Sequence, residues 1–411
     1  MSGATGSRAF AALANRDFRI YFFAASAAMM ADNIEHVISY WVIFQKFHDP
    51  ALAGVAVISH WVPYLLFAAY SGSLADRFDI RRLIQLGMLL FIGVSVSWGL
   101  MFMTDSVVLW KVRVLLLIHG CAGVLWIPAS QVLLHQIVRG PALASAVRIN
   151  ATGRYLGFLV GPAVGAGLLL SLGPAYGIFL NALIYTPLLL WLIGAPYGFR
   201  AEGWQPPPRE LRGFADILAT MRSVAGSPVL LSMTGLIGAS SFFIGSAYQA
   251  QMPEFAAVLG HGRADFSYSL LLAADAAGGL CAGLLLESRS LLQPRARSAI
   301  VLAMIWSGVL LAFALTHRYW IAVLLLFVAG FVELAFNAMA QTLVQLHAPA
   351  AIRGRVIGVY SMSSFGLRAF SGIGVGLLGA SIGIHQSLAL CAVALLLVYA
   401  ALMMYRHARS V

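Results

Sequence analysis

Charged residues are scarce in this sequence: Asp, Glu, Lys and Arg make up 10% of its 411 residues, whereas 61% are hydrophobic. A soluble globular chain carries roughly 25% charged residues, so the composition excludes a soluble protein of this length. The apolar residues fall in runs of about 20, the length at which a helix crosses a lipid bilayer. The sequence therefore predicts an integral membrane protein.

The sequence also has little that would support enzymatic or cofactor chemistry. Cys121, Cys281 and Cys391 lie within apolar runs at wide spacing, so neither a disulfide framework nor a metal site is expected. No G-x-x-x-x-G-K-S/T loop for ATP and no nucleophile elbow occurs. We therefore predict no enzymatic activity, no cofactor and no metal. The polar start, MSGATGSRAF, and the long apolar run after it argue against a cleavable signal peptide.

The apolar runs predict twelve membrane spans with an orientation set by charge. The spans cover about residues 18–44, 52–75, 83–104, 107–137, 142–171, 174–195, 228–252, 265–287, 298–316, 319–347, 354–383 and 385–405. With the N-terminus inside the cell, the outer side keeps only Lys46, Lys111, Arg113, Arg263 and Arg318. This asymmetry follows the positive-inside rule and predicts cytoplasmic termini. It also accounts for the net charge of +11 without a nucleic-acid partner.

A polar segment divides the spans into two sets of six. Residues 196–227 include Pro206, Pro207 and Pro208, which favour an extended linker, followed by apolar residues at three- and four-residue spacing. That spacing predicts a short amphipathic helix over 211–225 on the inner membrane surface. The predicted domains are an N-terminal six-helix bundle at 1–195, a cytoplasmic linker at 196–227 and a C-terminal six-helix bundle at 228–411.

The two sets of spans resemble each other. Gly72 and Asp76, four residues apart at the inner end of span 2, correspond to Gly283 and Glu287 at the inner end of span 8. A second pair recurs at nearly the same offset in spans 4 and 10: Gly120 with Gln131, and Gly330 with Gln341. Repeated six-helix halves build a central cavity that opens alternately to each side in many transporters.

The stretch GSLADRFDIRR, after the second span, places one carboxylate and several arginines in a tight loop. It resembles the signature loop between helices 2 and 3 of the major facilitator superfamily, G-x-L-A-D-R-x-G-R-R/K, with Asp79 in place of a Gly and Ile80 in place of a basic residue. The resemblance implies an all-α membrane protein, with twelve transmembrane helices in two pseudo-symmetric six-helix bundles. It also implies a conformational latch on the inner side. The latch residues are Gly72, Asp76, Arg77 and Arg81.

The fifth span carries a second resemblance. Small residues and a proline predict a close helix contact and a bend at Gly157, Gly161, Pro162 and Gly165. They resemble the G-x-x-x-G-P-x-x-G-G signature of the antiporter branches of the superfamily, with Ala166 in place of the last Gly. This resemblance favours export over uptake. A third signature, an Arg in span 4 followed four residues later by a Gly, is not found in the sequence.

Ionisable side chains inside membrane spans are costly and by default face a cavity or a partner. Asp32, Glu35 and His36 share one face of span 1, while Asp275 lies in span 8 and Glu333 in span 10. We predict that these four carboxylates carry protons, since burial next to a like charge lets such a group exchange a proton near neutrality. Two alternatives stay open: hydration of the span 1 cluster at the outer end of its helix, and a fixed ion pair between Glu333 and Arg368.

Further polar and aromatic side chains are predicted to line a substrate cavity between the halves. Arg154 is expected to line it or to meet a carboxylate of span 1 or of a neighbouring helix, and the aromatic rings would stack on a planar or amphipathic substrate. The cavity candidates are His36, Asn150, Arg154, Trp126, Tyr155, Phe243, Asn337 and Arg368.

The opening NRDFRIYFFAASAAMMADNIEHVISYWV resembles bacterial exporters of the enterobactin-exporter and macrolide-efflux type. This resemblance implies proton-coupled antiport of a small amphipathic molecule (a drug, a siderophore or another metabolite) by a monomer in the bacterial inner membrane. Na⁺ stays open as the coupling ion. An importer or facilitator of a small polar nutrient is the main alternative, and a membrane-embedded enzyme and a channel are the others.

Overall fold

The computed structural model describes residues 10–47, 51–201, 214–245, 247–259, 267–288, 294–371, 375 and 378–408. These residues form helices and short connections, and no strand occurs among them. The first six α-helices are α1 (Arg16–Phe47), α2 (Ala51–Arg77), α3 (Ile80–Met103), α4 (Leu109–Ile137), α5 (Leu143–Ile184) and α6 (Thr186–Gly194). Then follow α7 (Phe214–Gly226), α8 (Pro228–Phe243), α9 (Ala247–Ala250), α10 (Met252–Val258), α11 (Ser267–Ser288), α12 (Ala296–Leu315), α13 (Tyr319–His347), α14 (Arg353–Ser364), α15 (Leu378–Ile382) and α16 (Ile384–Ala408).

Helix α5 consists of two arms that meet at Gly173. This residue has φ 75° and ψ 171°, a conformation that glycine adopts without the steric cost of a Cβ. Pro174 then starts the second arm, since the first turn of a helix does not require its backbone N–H. The break lies between the predicted spans at 142–171 and 174–195, so α5 contains two passages through the bundle.

Within the described residues, the helices make twelve passages when the arms of α5 are counted separately and α6 continues the second arm. On the C-terminal side, α8 to α10 form one passage and α14 with α15 another. Eight stretches are both long and apolar enough to cross a membrane by themselves, one of which runs through both arms of α5. The predicted all-α fold of twelve helices is thereby confirmed.

Two predicted spans are not continuous helices. The seventh, predicted at 228–252, ends its first helix at Phe243, shortly before Gly245 turns the chain with a φ of 49°. The eleventh, predicted at 354–383, ends its first helix at Ser364 and continues as a 3₁₀ turn, Gly366–Phe370. At this turn Gly366 lies against the backbone of Leu65 in α2. The single-helix predictions were wrong here because run length does not register such a contact.

The two halves repeat the same packing. In the N-terminal half α4 packs against α2 and α3, and α3 also contacts α5, where the Phe179 ring of the second arm lies against Gly99. In the C-terminal half α13 packs in the same way against α11 and α12, and α12 contacts α16. Separate clusters of buried apolar side chains fill the two halves. The predicted linker falls partly outside the described residues, and the amphipathic helix predicted over 211–225 is seen as α7.

The halves meet along two helix pairs, α2 with α14 and α5 with α11. The first pair packs backbone against backbone, since a Cβ at Gly72 would overlap the carbonyl oxygen of Gly354. In the second pair, Thr152 of α5 contacts Gly283 of α11. Small residues permit this approach, as they do between membrane helices in general. The two pairs place a cavity between the halves.

Candidate functional site

The cavity between the halves has a volume of about 680 Å³. Aromatic rings form much of its wall, among them Trp61, Trp126, Tyr155 and Phe365. Its ionisable lining comes from both halves: Asp32, His60 and Arg154 from the first, and Asp275, Glu333 and Arg368 from the second. Such a wall combines large apolar faces with a few fixed charges, as expected for a site that takes an amphipathic molecule.

An acid–histidine cluster, formed by Asp32, Glu35 and His119, lies in the N-terminal half. His119 Nε2 is 2.8 Å from Asp32 Oδ1, and His119 Nδ1 is 2.8 Å from Glu35 Oε1. The Ser95 hydroxyl donates a hydrogen bond to Glu35 Oε2. All three members of the cluster are buried. A ring with both nitrogens against carboxylates matches an imidazolium, whose two N–H groups donate.

The partner of the span 1 carboxylates is therefore His119 and not His36. His119 lies 84 residues from Glu35 and 87 from Asp32 along the chain, on α4 rather than α1. His36, predicted to line the cavity, is not among the lining residues, because it stands behind His60 beside the acid–histidine cluster. Its ring centroid is 4.9 Å from that of His119 and 4.7 Å from that of His60. Sequence reasoning missed His119 because helical spacing shows only neighbours on one helix. A histidine within an apolar span was the available signal.

A different arrangement holds the acidic residues of the C-terminal half. The Tyr248 hydroxyl lies 3.2 Å from Asp275 Oδ1 and 3.2 Å from Glu333 Oε2, so the two carboxylates face one hydroxyl. The Gln249 amide donates to Asp275 Oδ2 at 2.8 Å. Both carboxylates are buried, and within the described part of the chain no Lys, Arg or His nitrogen comes within 4.0 Å of either.

The ion pair considered between Glu333 and Arg368 is not formed. Arg368 Nε donates to the carbonyl oxygen of Ser364 at 3.2 Å, and its guanidinium carbon lies 5.3 Å from the ring centroid of Trp61. The reason is the end of α14 at Ser364, which places Arg368 on a 3₁₀ turn over the aromatic wall. This alternative is therefore not realised, and the sequence gives no sign of the break that prevents it.

Arg154 lines the cavity as predicted, but its partner is an amide. Its Nη2 donates to Gln341 Oε1 at 2.6 Å across the two halves, and no carboxylate of the described residues pairs with it. Of the two predicted alternatives, the cavity position is the one found, since both carboxylates of span 1 contact His119 instead. Gln341 belongs to the internal repeat, as the counterpart of Gln131.

The other predicted cavity residues are distributed unevenly. Trp126, Tyr155 and Asn337 line the cavity. Asn150 lines a small side pocket beside Arg154 rather than the main cavity. Phe243 lies outside the cavity lining, at the end of α8, with its ring 5.2 Å from that of Phe242. Its predicted placement in the cavity was wrong because the side chain packs against the apolar core of the C-terminal half.

The predicted latch closes one end of the bundle. Asp76, near the end of α2, accepts hydrogen bonds from the backbone N–H groups of Gly354 at 2.6 Å and Arg355 at 3.0 Å. These groups are at the first turn of α14, where orphan N–H groups and the helix dipole attract a carboxylate. Asp216 of α7 adds contacts to Arg77 at 3.9 Å and to Arg355 at 3.6 Å.

Arg81 does not cross to the other half. Its Nη2 lies 2.6 Å from Asp79 Oδ2, and its Nη1 donates to the carbonyl oxygen of Ala195 at 3.0 Å. Asp79, the departure from the family loop, also caps the N-terminus of α3 by accepting from the backbone N–H of Arg81. The assignment of Arg81 to the latch was wrong because Asp79 holds it within the N-terminal half.

The repeat supplies a second latch at the same end. Glu287, near the end of α11, lies 2.8 Å from Arg148 Nε and accepts a hydrogen bond from the Ser145 hydroxyl near the start of α5. The Phe10 backbone N–H also donates to it, at 2.9 Å. Asp76 and Glu287 thus each join the end of one helix to the beginning of a helix in the other half.

The small residues of α5 lie against α1. A Cβ at Gly157 would crowd Met29, one at Gly161 would crowd Asn33, and one at Gly165 would touch Ile34. This contact keeps α1 and α5 close along the stretch that carries Asp32 and Glu35. The signature in span 5 therefore positions the acid–histidine cluster, while Pro162 itself lines the cavity.

Comparison with known proteins agrees with this architecture. Residues 7–410 match a family described as transmembrane secretion effectors. Over 197 residues the chain is 24% identical to the uncharacterized MFS-type transporter YfiS of Bacillus subtilis (strain 168), a match that covers 48% of this chain and 45% of that relative. The aligned region is thus about half the length of each protein.

Two solved structures cover nearly the whole chain. The human organic anion transporter MFSD10 superposes with a TM-score of 0.73 at 14% identity, covering 94% of this chain and 99% of that one. The E. coli fucose:proton symporter FucP, in its outward conformation, superposes with a TM-score of 0.72 at 12% identity, covering 95% and 98%. At these identities the likeness establishes the fold alone.

Proposed function

Because this chain belongs to the transmembrane secretion effector family of major facilitator transporters, we propose that it exports a small amphipathic molecule in exchange for protons. It does so by alternating access, without enzymatic activity. The observation that carries the proposal is the 680 Å³ cavity between the halves, walled by aromatic rings and fixed charges. Rocking of the two halves about this site would open it to one side at a time.

Three observations support export as the direction of transport. The positive-inside charge distribution of the sequence supports a cytoplasmic location for the Asp76 and Glu287 latches and for both termini. The span 5 glycines resemble the antiporter signature, and the family description refers to secretion. With the latches formed, the cavity then belongs to the state that releases substrate outwards.

We further propose that the protein works as a monomer in a bacterial inner membrane, since one chain supplies both halves of the cavity.

Coupling to protons is assigned to Asp275 and Glu333. The two carboxylates face the same Tyr248 hydroxyl in a buried site. Two negative charges that share one hydroxyl repel each other, so ionisation of both carboxylates at once is disfavoured. A proton arriving from outside would neutralise the pair, and its release to the cytoplasm would restore the charge. The cavity wall gives these groups access to water and to substrate.

Substrate selection would use the aromatic wall and the two guanidinium groups. Trp61, Tyr155 and Phe365 offer faces for stacking, while Arg154 and Arg368 suit an anionic group. One structural neighbour is an organic anion transporter, which is in line with that chemistry. The proposed substrate is therefore an amphipathic metabolite or drug with a planar part and a polar, preferably anionic, end.

The test begins with mass spectrometry of culture medium and cell contents, in the host strain with the gene deleted and with it restored. Export predicts a metabolite that is trapped in the deletion strain and released on complementation. A compound that the deletion strain fails to take up would instead establish an importer. The compound found is then loaded into proteoliposomes with a pH-sensitive dye. Proton movement opposite to the substrate would support antiport, and substrate flux without it would contradict proton coupling.

A further inference from the structure

Three histidines from three different helices come together beside the cavity. His36 of α1, His60 of α2 and His119 of α4 each offer a ring nitrogen, and these atoms lie within 4.8 Å of one another. The ring centroids are separated by 4.7 Å for His36 and His60, and by 5.6 Å for His60 and His119. We refer to these residues as the histidine triad. Nothing in the export cycle described above requires this convergence.

Two nitrogens of the histidine triad have no hydrogen-bond partner among the described residues. These are His36 Nε2 and His60 Nδ1, and both atoms are buried. A buried polar atom without a partner costs on the order of 1–3 kcal/mol. Two such atoms in one cluster would destabilise the fold if the histidine triad had a purely structural role. A bound cation would supply the partner that each of these atoms lacks.

The surroundings also orient the third histidine as a metal ligand. Ser95 donates to Glu35, and Glu35 lies 2.8 Å from His119 Nδ1. This is the carboxylate–histidine arrangement that fixes a ring so that its other nitrogen can bind a metal. The other nitrogen, Nε2, lies 2.8 Å from Asp32 Oδ1, so a carboxylate stands next to the nitrogen that would bind the ion.

We propose that His36, His60 and His119, with Asp32 as fourth ligand, bind one divalent transition-metal ion of the zinc class in the N-terminal half. Imidazole with one carboxylate is a donor set that suits zinc, nickel or iron. Access is from the cavity, because both His60 and Asp32 line its wall. The site is separate from Asp275 and Glu333 and does not depend on the proposed export.

The fit requires a small contraction of the histidine triad. Around a tetrahedral ion with metal–nitrogen bonds of about 2.1 Å, ligand atoms are about 3.4 Å apart. The spacing of up to 4.8 Å therefore has to close as the rings rotate, and the ion takes the place of the proton on His119 Nε2, which is released to water in the cavity. Glu35 and Ser95 keep their positions behind His119.

Cobalt binding to the purified full-length protein tests the proposal. The protein is prepared without a polyhistidine tag, treated with a chelator and titrated with Co²⁺, whose visible absorption reports tetrahedral coordination. We expect one Co²⁺ per chain and displacement by Zn²⁺. The double variant His36→Ala with His60→Ala should bind at least about 100-fold more weakly, since two ligands are lost. His317→Ala, an exposed histidine outside the site, is the matched control and should bind as the wild type does.

Two readouts separate a lost ligand from a lost fold. The double variant is checked by size-exclusion chromatography, and if it aggregates the single variant His60→Gln replaces it. Zn²⁺ should raise the unfolding temperature of the wild type and of His317→Ala but not that of the variant, because only a bound ion stabilises the folded state. Absence of Co²⁺ binding in the wild type, or equal binding in the double variant, would overturn the proposal. Either result leaves the export assay unaffected.

Discussion

The two halves of the protein share one packing scheme but hold their buried acids in opposite ways. In the N-terminal half His119 lies between Asp32 and Glu35, so each carboxylate has a basic partner at 2.8 Å. In the C-terminal half Asp275 and Glu333 face Tyr248, which brings no positive charge. The first arrangement fixes charge in place, whereas the second favours a shared proton. The two repeated halves thus differ in how they stabilise buried carboxylates, and this difference can be tested.

The largest expected effect is on folding stability, from His119→Ala. Removing the ring leaves two buried carboxylates without a basic partner, which should destabilise the protein by about 3–5 kcal/mol. Thermal unfolding in detergent measures the loss. His135→Ala, on the same helix and away from Asp32 and Glu35, should cost about 1 kcal/mol. Equal losses of stability in the two variants would contradict the ion pairing of Asp32 and Glu35 with His119.

Glu333→Gln should affect transport rather than stability. The amide keeps the size of the side chain and removes a like charge beside Asp275, so unfolding should change little. Transport driven by a pH gradient should fall by about 100-fold, the usual effect of losing a proton-transferring group. Proteoliposomes with and without the gradient provide the measurement. Glu254→Gln, an exposed acid, is the control, and gradient-driven transport at the wild-type rate in Glu333→Gln would refute the assignment.

Neutralising the carboxylate of either latch should have the same effect on the opening of the bundle, although the two halves hold their buried acids differently. Asp76→Asn and Glu287→Gln each weaken charge-assisted hydrogen bonds between the halves, worth about 1–3 kcal/mol. Each should shift the population towards the state open at the latch end and slow the cycle while leaving the fold intact.

Spin labels at the exposed positions 78 and 350, one in each half, report the opening as a distance distribution. The native cysteines are first replaced. A wild-type distribution and wild-type transport in Asp76→Asn would contradict the latch. A shift in one variant alone would show that the two latches are unequal.

The smallest expected effect is that of Phe243→Ala, whose ring lies outside the cavity lining. Its apparent affinity for substrate should stay within about twofold of the wild type, as for a change away from the site. Tyr155→Ala, which removes a ring from the cavity wall, should weaken binding by about 1 kcal/mol. Competition binding with the identified substrate compares the two. A larger loss in Phe243→Ala would mean that the cavity extends along α8 in another state.

The fold was within reach of the sequence because its signals are local. Runs of about 20 apolar residues predict spans whatever surrounds them, and the helix predicted at 319–347 begins and ends where α13 does. The loop signature with Asp76 and the repeat at Glu287 indicated that the inner ends of spans 2 and 8 are related. Breaks in α8 and α14 were missed, because they depend on single glycines and on contacts with another helix.

The candidate site was predictable as a set of residues but not as a set of contacts. Asp32, Asp275 and Glu333 could be singled out, since an ionisable group in an apolar span is itself a signal. Their partners could not. His119 meets Glu35 across 84 residues, Arg154 meets Gln341 across 187, and Arg81 stays with Asp79 instead of crossing to the other half.

By itself, the sequence determined the membrane location, the helical passages, their division into matching halves and the residues that cannot rest in lipid. Hydrophobic run length, charge asymmetry and glycine spacing act along the chain, so they can be read in order. Only the tertiary structure decided that one half holds its acids against a histidine and the other holds two acids around one tyrosine hydroxyl. Hydrogen bonds and ion pairs act over a few ångströms, and folding alone brings helices distant in sequence within that range.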